Sequence, residues 1–249
     1  GLGEVLWHVF FDDQKLGGAP ANFAAHAQQL GAKSYLLSAV GKDLLGQKAI
    51  DQLILLGIDT SVVQFNRFSP TGRVIVSLDS IGNPAYKIDI NSAWDHIQFN
   101  TPQAKIAKCL DAICFGTLAQ RYPNSKKAIF KILRATPPSC LRVFDVNFRQ
   151  DYYHPKIIEQ NLNIANAVKM NEEEFLEIGK MFSFSKNHKK GLRFLINEFD
   201  LKFAIITLGE KGALMASQDH FCSYSQTYYK VKLNLLLYNL LIILLRYII

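Results

Sequence analysis

The sequence has few cysteines and lacks the short motifs that identify several common enzyme classes. Its four cysteines form no CxxC pair and follow no metal-ligand spacing, which argues against a zinc ribbon or a disulfide scaffold. We interpret them as small buried side chains in a reducing compartment and expect a cytoplasmic protein. There is no GxxxxGK(S/T) loop, no GxSxG, no HExxH and no GxGxxG that opens a helix. The motifs of P-loop nucleotidases, α/β hydrolases, zinc peptidases and dinucleotide-binding proteins are therefore absent.

The composition is that of a folded protein with a moderate excess of positive charge. With 249 residues, 49% of them hydrophobic, the chain is long enough for one large domain or a domain with an appendage. The net charge of +7 suggests nucleic-acid binding, but the basic cluster at 186–193 has no interleaved aromatic residue. We interpret this cluster as a solvated helix face, or as a field that attracts an anionic substrate, and expect no nucleic-acid partner. Residues 1–7 lack a basic n-region, so we expect no secretory leader.

Short apolar runs alternate with amphipathic helical segments along most of the chain. The runs are rich in β-branched and aromatic residues and apolar on both faces, as buried parallel strands are; they are Ser34–Val40, Asp111–Gly116, Leu141–Val146, Ala165–Lys169 and Phe203–Leu208. The predicted helices are Pro20–Leu30, Asp43–Leu56, Ser125–Arg134 and Asn171–Met181. This alternation predicts an α/β fold, an open parallel sheet with helices on both sides.

Residues 58–90 depart from this alternation. Two segments with alternating faces, Thr71–Leu78 and Ala85–Ile90, flank a Gly82–Asn83–Pro84 turn, which predicts a β-hairpin. A two-stranded ribbon is not stable alone and must cover something. It is either a lid over a ligand pocket or an edge extension of the sheet.

The C-terminal segment, Leu233–Ile249, is almost uniformly apolar, with Asn234, Asn239 and Arg246 as its polar residues. Seventeen residues are at the short limit for a membrane span, so an anchor is a less favoured hypothesis. A buried helix is the second hypothesis. The third is that a shifted frame or a misassigned sequence replaced the natural continuation.

Two glycines stand directly before the first predicted helix. In Gly17-Gly18-Ala19-Pro20-Ala21-Asn22 the glycines allow a ligand to approach the backbone, and the helix start offers free N–H donors. Asn22, one turn in, can donate and accept hydrogen bonds, as a pair of sugar hydroxyls requires. The alternative is an ordinary glycine-rich turn.

Polar residues follow three of the predicted strands. Asp145–Arg149 follows the strand that begins at Leu141, where α/β folds bind ligands at the carboxyl ends of strands. Asn171-Glu172-Glu173-Glu174 follows the next strand, and carboxylates near a phosphate site can hold Mg²⁺ through water. The small residues of Thr207–Gly212 can bind phosphate through backbone amides. Each motif has a purely structural alternative. Asp145–Arg149 could be a loop whose polar groups bond to one another, Asn171–Glu174 a helix start where the dipole favours Glu, and Thr207–Gly212 a simple turn.

Taken in order, these patterns resemble the PfkB family of carbohydrate kinases, most closely its fructokinases. The matching blocks are Gly1–Trp7, Gly17–Asn22, Gly41–Gly46, Pro70–Gly72, Asn91–Asp95 and Phe115–Thr117. The resemblance covers residues 1–232 and implies a ribokinase-like fold, a three-layer sandwich around a mainly parallel sheet with a small β-hairpin lid at about 58–98. It implies transfer of the ATP γ-phosphoryl group to a sugar hydroxyl, with fructose as the expected sugar.

The resemblance also implies roles for individual residues. Substrate binding is assigned to His8, Gly17, Gly18, Asn22 and Arg149, the last on the sugar or its transferred phosphate. ATP binding is assigned to Asn171, Thr207, Gly209 and Gly212, and Glu174 is linked to Mg²⁺. Such catalysis consists mostly of positioning and charge neutralisation, with water excluded by the lid. An exposed ribbon is also compatible with a homodimer formed through the lid.

The sequence departs from the family pattern at two places. His8 stands where the family usually carries Asp, so a neutral imidazole with one donor and one acceptor replaces a carboxylate. The family's Gly-Ala-Gly-Asp element, which supplies an anion hole and the catalytic base, is expected just after Lys232 but does not occur there. The leading hypothesis is therefore a fructokinase-type kinase whose C-terminal part is lost or misrecorded. The alternative is a non-catalytic relative that binds a sugar or a nucleotide.

Overall fold

The computed structural model describes residues 1–78 and 84–224. By their internal contacts these residues form two units. The first unit comprises Gly1–Leu110 and Leu118–Pro137, and the second comprises Asp111–Thr117 and the described residues from Pro138 onward.

A six-stranded sheet organises the second unit, in the order β12-β11-β10-β9-β8-β7. Its strands are β7 (Ala112–Phe115), β8 (Leu141–Asp145), β9 (Ala167–Asn171), β10 (Phe203–Thr207), β11 (Ala213–Ala216) and β12 (Phe221–Tyr224). Strands β7 to β10 are parallel, whereas β11 and β12 are antiparallel and continue the sheet to one edge. The apolar centre of β10, Ala204–Ile206, is buried, as the runs of β-branched and aromatic residues predict.

Three helices of the second unit pack on this sheet: α5 (Pro155–Ile164), α6 (Glu172–Met181) and α7 (His188–Phe199). The start of each is determined locally. Proline is the first residue of α5, where its missing N–H costs nothing, and Asn171 and Asn187 cap α6 and α7. Helix α7 ends at Asp200, which has left-handed backbone angles.

A four-stranded sheet in the first unit contains the predicted hairpin. Its order is β2-β1-β5-β6, with β1 (Leu6–Val9), β2 (Gln14–Gly17), β5 (Gly72–Leu78) and β6 (Pro84–Ile88). The predicted hairpin is present as the antiparallel pair β5–β6, and its turn, 79–83, lies outside the described residues. Strand β1 pairs in parallel with β5 and antiparallel with β2, so the hairpin is continuous with the beginning of the chain.

The helices of the first unit are α1 (Ala19–Gln29), α2 (Leu44–Leu55), α3 (Thr101–Ala107) and α4 (Pro123–Ala135). Trp7 of β1 is buried in one apolar cluster with residues of α1 and α2, and its indole Nε1 donates to the Leu45 carbonyl at 3.0 Å. This cluster fixes one face of the four-stranded sheet.

The predicted strand Ser34–Val40 is shorter and less regular than expected. Its regular part is β3 (Ala39–Gly41), which pairs in parallel with β4 (Gln64–Asn66). Tyr35 and Leu37 form only isolated parallel bridges. No helix within the described part of the chain is long and apolar enough to cross a bilayer. The apolar segment Leu233–Ile249 lies outside the described residues.

Candidate active site

His8 and Gly17 lie in contact on one face of the four-stranded sheet. His8 is half-buried on β1. Gly17 is the last residue of β2 and pairs with Leu6, which precedes His8 by two residues on β1. A Cβ atom added to Gly17 would lie 2.7 Å from both Cδ2 and Nε2 of His8. The imidazole therefore lies directly over the Gly17 backbone, and any larger residue would displace it.

Gly18 and Asn22 form the start of α1, as the sequence predicts. Gly18 has φ +114°, and an added Cβ atom would lie 2.4 Å from the Glu4 carbonyl oxygen, so only glycine fits. The Asn22 amide donates to the Gly18 carbonyl at 2.9 Å, and the Asn22 side chain is exposed. A polar side chain is thus available to a ligand one turn into the helix.

Three predicted loops of the second unit begin at the same edge of its sheet. Asp145, Asn171 and Thr207 are the last residues of β8, β9 and β10. Because these strands are adjacent and parallel, their carboxyl ends form the edge at which open α/β sheets bind ligands. The structure thereby groups residues from three separate sequence blocks.

Asp145 forms a largely buried ion pair with Lys169, a residue that the sequence analysis did not select. Lys169 Nζ lies 2.9 Å from Asp145 Oδ1, and the two side chains are 17% and 16% exposed. Burial favours the neutral amine, but the charge and hydrogen bond of Asp145, together with smaller contributions that include the charge of Glu174, raise the pKa of Lys169. The ammonium group therefore stays protonated beside this edge. A lysine within the apolar strand Ala167–Asn171 was the available sequence signal.

Glu174 links the loops that follow β8 and β9. Its Oε1 accepts a hydrogen bond from the Phe148 amide at 2.9 Å, and its Oε2 accepts one from the Asn171 amide at 2.8 Å. The Asn171 side chain accepts from the Glu174 amide in return, which completes a capping box. Burial raises the pKa of Glu174 above its usual value, and the amide hydrogen bonds and Lys169 offset this only in part.

The loop after β8 has an unusual backbone. Asn147 and Gln150 have φ +40° and +47°, and the rings of Phe148 and Tyr153 stack at 3.8 Å between centroids. Arg149 is exposed and its Nη1 donates to the Phe148 carbonyl at 2.8 Å. The guanidinium group is therefore accessible to an anion or a hydroxyl.

The turn after β10 presents backbone amides and open space. Gly209 has φ +58° and Gly212 has φ +99°. An added Cβ atom at Gly209 would meet nothing within 4 Å. The amides of Leu208, Lys211 and Gly212 donate within the turn, whereas those of Gly209 and Glu210 have no acceptor among the described residues. Such amides can bind a phosphate oxygen. Thr207 Oγ1 makes one long contact, 3.4 Å, with the Met170 carbonyl.

Residues 4–233 match the model of the pfkB family carbohydrate kinases. The chain belongs to this family. The pfkB chain is 30% identical over 196 residues to the uncharacterized sugar kinase PH1459 of Pyrococcus horikoshii, a match that covers 73% of this chain and 63% of that protein. It is 27% identical over 217 residues to a fructokinase of Salmonella typhimurium, covering 84% and 68% respectively. The chain thus spans less than two thirds of the length of PH1459.

Solved structures confirm the ribokinase-like α/β fold. The ATP complex of PH1459 superimposes on the pfkB chain with a TM-score of 0.76 at 24% identity, covering 92% of this chain and 77% of the other. A fructokinase of Xylella fastidiosa with bound ATP gives a TM-score of 0.80 at 17% identity, covering 93% and 74%. The fold class predicted from the sequence, with a mainly parallel sheet and helices, is therefore confirmed.

Two carboxylates at this edge of the pfkB chain's sheet make contacts within the protein. No group of three or more His, Cys, Asp or Glu side chains among them is arranged to hold a metal ion. Asp145 is paired with Lys169, and both oxygens of Glu174 accept amide hydrogen bonds. Since Mg²⁺ keeps several waters and binds through substrate phosphates, no direct protein ligand is required. The role of Glu174 in metal binding stays a prediction.

Proposed function

We propose that this pfkB chain is an ATP-dependent sugar kinase of the cytoplasm, with fructose as its sugar. The observation that carries the proposal is the grouping of three loops at the carboxyl edge of the second unit's sheet. These loops begin at Asp145, Asn171 and Thr207 and provide a capped helix start and open backbone amides. The ammonium group of Lys169, on β9, lies beside them. Fructokinases of Salmonella typhimurium and Escherichia coli among the relatives support fructose as the sugar.

In the second unit, we assign nucleotide phosphates to the turn Thr207–Gly212. The amides of Gly209 and Glu210 supply donors, and the empty space above Gly209 admits a phosphate group. Arg149 supplies an exposed positive charge for the sugar or for its transferred phosphate. Phosphoryl transfer needs such positioning and charge neutralisation more than covalent chemistry.

In the first unit, we assign the sugar hydroxyls to His8 and to the start of α1. The imidazole offers one donor and one acceptor, and Asn22 offers both at an exposed position. Gly17 and Gly18 leave room for the hydroxyls because neither carries a side chain. The hairpin β5–β6 is proposed as a lid that excludes water from the reaction.

We also propose that the hairpin mediates homodimer formation. Strand β6 is at an edge of its sheet, and Tyr86 on it is 57% exposed. An edge strand with an exposed aromatic side chain favours pairing with a second copy. Light scattering of the protein and of Tyr86→Lys tests this. A dimer that Tyr86→Lys converts to a monomer is expected, and a wild-type monomer contradicts it.

A second candidate is a protein that binds sugar or nucleotide without transfer, because Leu233–Ile249 stands where the family resemblance places the Gly-Ala-Gly-Asp element. ADP release with ATP, Mg²⁺ and a sugar panel separates the candidates. The panel contains fructose, ribose, glucose and 5-dehydro-2-deoxygluconate, since a 5-dehydro-2-deoxygluconokinase is also a relative. Fructose-dependent ADP release is expected. Release with the sugar acid alone contradicts fructose, and calorimetric sugar binding without any release supports the second candidate.

A further inference from the structure

The carboxylate of Glu174 is placed to hold a loop rather than an ion. We infer that Glu174 is a positioning residue that fixes the conformation of the loop carrying Asn147 and Arg149, and that it is not a ligand of the metal ion. The kinetic part of this inference rests on the proposed kinase activity.

Both oxygens of Glu174 are used by the protein backbone. One accepts from the Phe148 amide at 2.9 Å and the other from the Asn171 amide at 2.8 Å, and the residue is 6% exposed. These amides belong to the loop after β8 and to the cap of α6. A metal ion that bound these oxygens directly would have to share them with two N–H donors, which already use part of the carboxylate's hydrogen-bonding capacity.

The loop that Glu174 holds has a backbone that does not persist without support. Asn147 has φ +40°, in the left-handed region that non-glycine residues seldom occupy. On its N-terminal side the Val146 amide donates to the Lys169 carbonyl at 3.0 Å. On its C-terminal side the Phe148 amide donates to Glu174. These two hydrogen bonds fix both sides of Asn147 and thereby the point from which Arg149 projects.

A carboxylate is required because both of its neighbours are hydrogen-bond donors. Glutamine can satisfy one amide with its oxygen, but its NH₂ group would face the other N–H. Glu174 also contributes to the positive shift of the Lys169 pKa, so it belongs to the same charged group as Asp145. Because glutamine can also occupy this position of a capping box, Glu174→Gln keeps the bond to the Asn171 amide and loses the bond to the Phe148 amide, at nearly unchanged side-chain size.

Amide hydrogen exchange tests this inference without reference to activity. The comparison is between the wild type, Glu174→Gln and the control Glu173→Gln, an exposed neighbour on the same helix. We expect exchange of the segment 147–152 to accelerate about ten-fold or more in Glu174→Gln only, because the Phe148 bond is lost. Equal exchange in the three proteins would overturn the inference. If Glu174→Gln fails to fold, Glu174→Asp, which is one methylene shorter, must show the same acceleration, and unchanged exchange there overturns it.

Kinetics then separate positioning from metal binding. We expect Glu174→Gln and Arg149→Ala each to lower kcat/KM for the sugar about ten-fold or more, and the double variant to lose little beyond either one. The Mg²⁺ concentration for half-maximal activity should change less than about two-fold. A large shift in the Mg²⁺ requirement of Glu174→Gln, with additive effects of Arg149→Ala, would show a metal role instead. If the wild type phosphorylates no sugar, the proposed function fails, and the exchange comparison still decides the role of Glu174.

Discussion

Asp43 and Thr71 are joined by two hydrogen bonds across the first unit. The Thr71 amide donates to Asp43 Oδ2 at 2.8 Å, and the Thr71 hydroxyl donates to Asp43 Oδ1 at 2.7 Å. Asp43 also caps α2 by accepting from the Gly46 amide at 2.7 Å. One carboxylate thus connects the start of a helix with the residue before β5, the first strand of the proposed lid.

The first prediction concerns the pH dependence of this connection. Burial acts to raise the pKa of Asp43, but hydrogen bonds from Thr71 and Gly46 outweigh it and hold the pKa below its usual value. A carboxyl with a depressed folded pKa stabilises the protein above its unfolded pKa, and this contribution is lost as the pH falls through the folded pKa. We expect Asp43→Asn to lower the free energy of unfolding by about 1–2 kcal/mol at neutral pH.

Urea denaturation at pH 7 and in acid measures this difference. The loss caused by Asp43→Asn should shrink as the pH falls below the usual range of the carboxyl. Asp12→Asn, at an exposed turn, is the matched control and should behave as the wild type at both pH values. An equal loss at neutral and acid pH would contradict the assignment.

The second prediction concerns a buried ion pair in the first unit. The guanidinium of Arg121 contacts both Asp95 oxygens, at 2.7 and 2.6 Å, and both side chains are almost fully buried. Arg121→Met leaves a buried carboxylate without its charge partner and should lower the free energy of unfolding by about 3–5 kcal/mol.

Two further variants show that the loss comes from the uncompensated charge. Arg121→Met with Asp95→Asn removes both charges and should recover part of the stability, because no ionised group is then buried alone. Arg73→Met breaks a more exposed pair, 2.8 Å from Asp89, and should cost less than about 1 kcal/mol. Denaturant unfolding measures all three, and additive losses in the double variant would refute the explanation.

The third prediction concerns His8. The family resemblance places an Asp here, and a carboxylate can accept hydrogen bonds from two sugar hydroxyls where the imidazole accepts one. A charge-assisted hydrogen bond contributes about 1.5–3 kcal/mol, so His8→Asp should lower the Kd for fructose about ten-fold or more. Calorimetry with fructose measures it, with His26→Asp on α1 as the control. A weaker affinity in His8→Asp would show that the imidazole is itself the preferred contact.

The fourth prediction distinguishes two glycines of the turn after β10. Gly209, at φ +58°, has left-handed angles that asparagine tolerates, and an added Cβ atom there has open space. Gly212 has φ +99° and ψ −134°, a region that is almost restricted to glycine. We expect Gly209→Asn to retain wild-type stability within about 1 kcal/mol but to raise the KM for ATP, and Gly212→Asn to lose about 1–3 kcal/mol. Thermal unfolding and ATP kinetics test both, and equal stability losses would contradict the distinction.

Local signals in the sequence were sufficient for the parallel strands and for the helix starts. Strands such as Phe203–Thr207 are apolar on both faces, and Asp43 and Asn171 are typical capping residues. The pairing of β1 with β5 was not predictable, since the pairing of segments far apart in the sequence leaves no local pattern. The sequence therefore predicted the hairpin but not the four-stranded sheet to which it belongs.

Some residues of the candidate site were selected from the sequence, and others were found only in the structure. The motif order alone indicated the family and selected Asn171, Glu174 and Thr207. It did not select Lys169, because a lysine inside an apolar strand gains its meaning only from Asp145 on the neighbouring strand. For Glu174 the sequence left two roles open, metal binding and stabilisation of a helix start. Both roles favour a glutamate at this position, so the sequence could not distinguish them.

By itself the sequence determined the α/β class, the capped helix starts and the family, because periodicity, capping and motif order are properties of neighbouring residues. Only the tertiary structure showed which polar side chains are hydrogen-bonded to other parts of the protein. Both oxygens of Glu174 accept from backbone amides, one of them in a loop 26 residues away. Such partners are set by the packing of adjacent strands, and burial then fixes how strongly each contact acts.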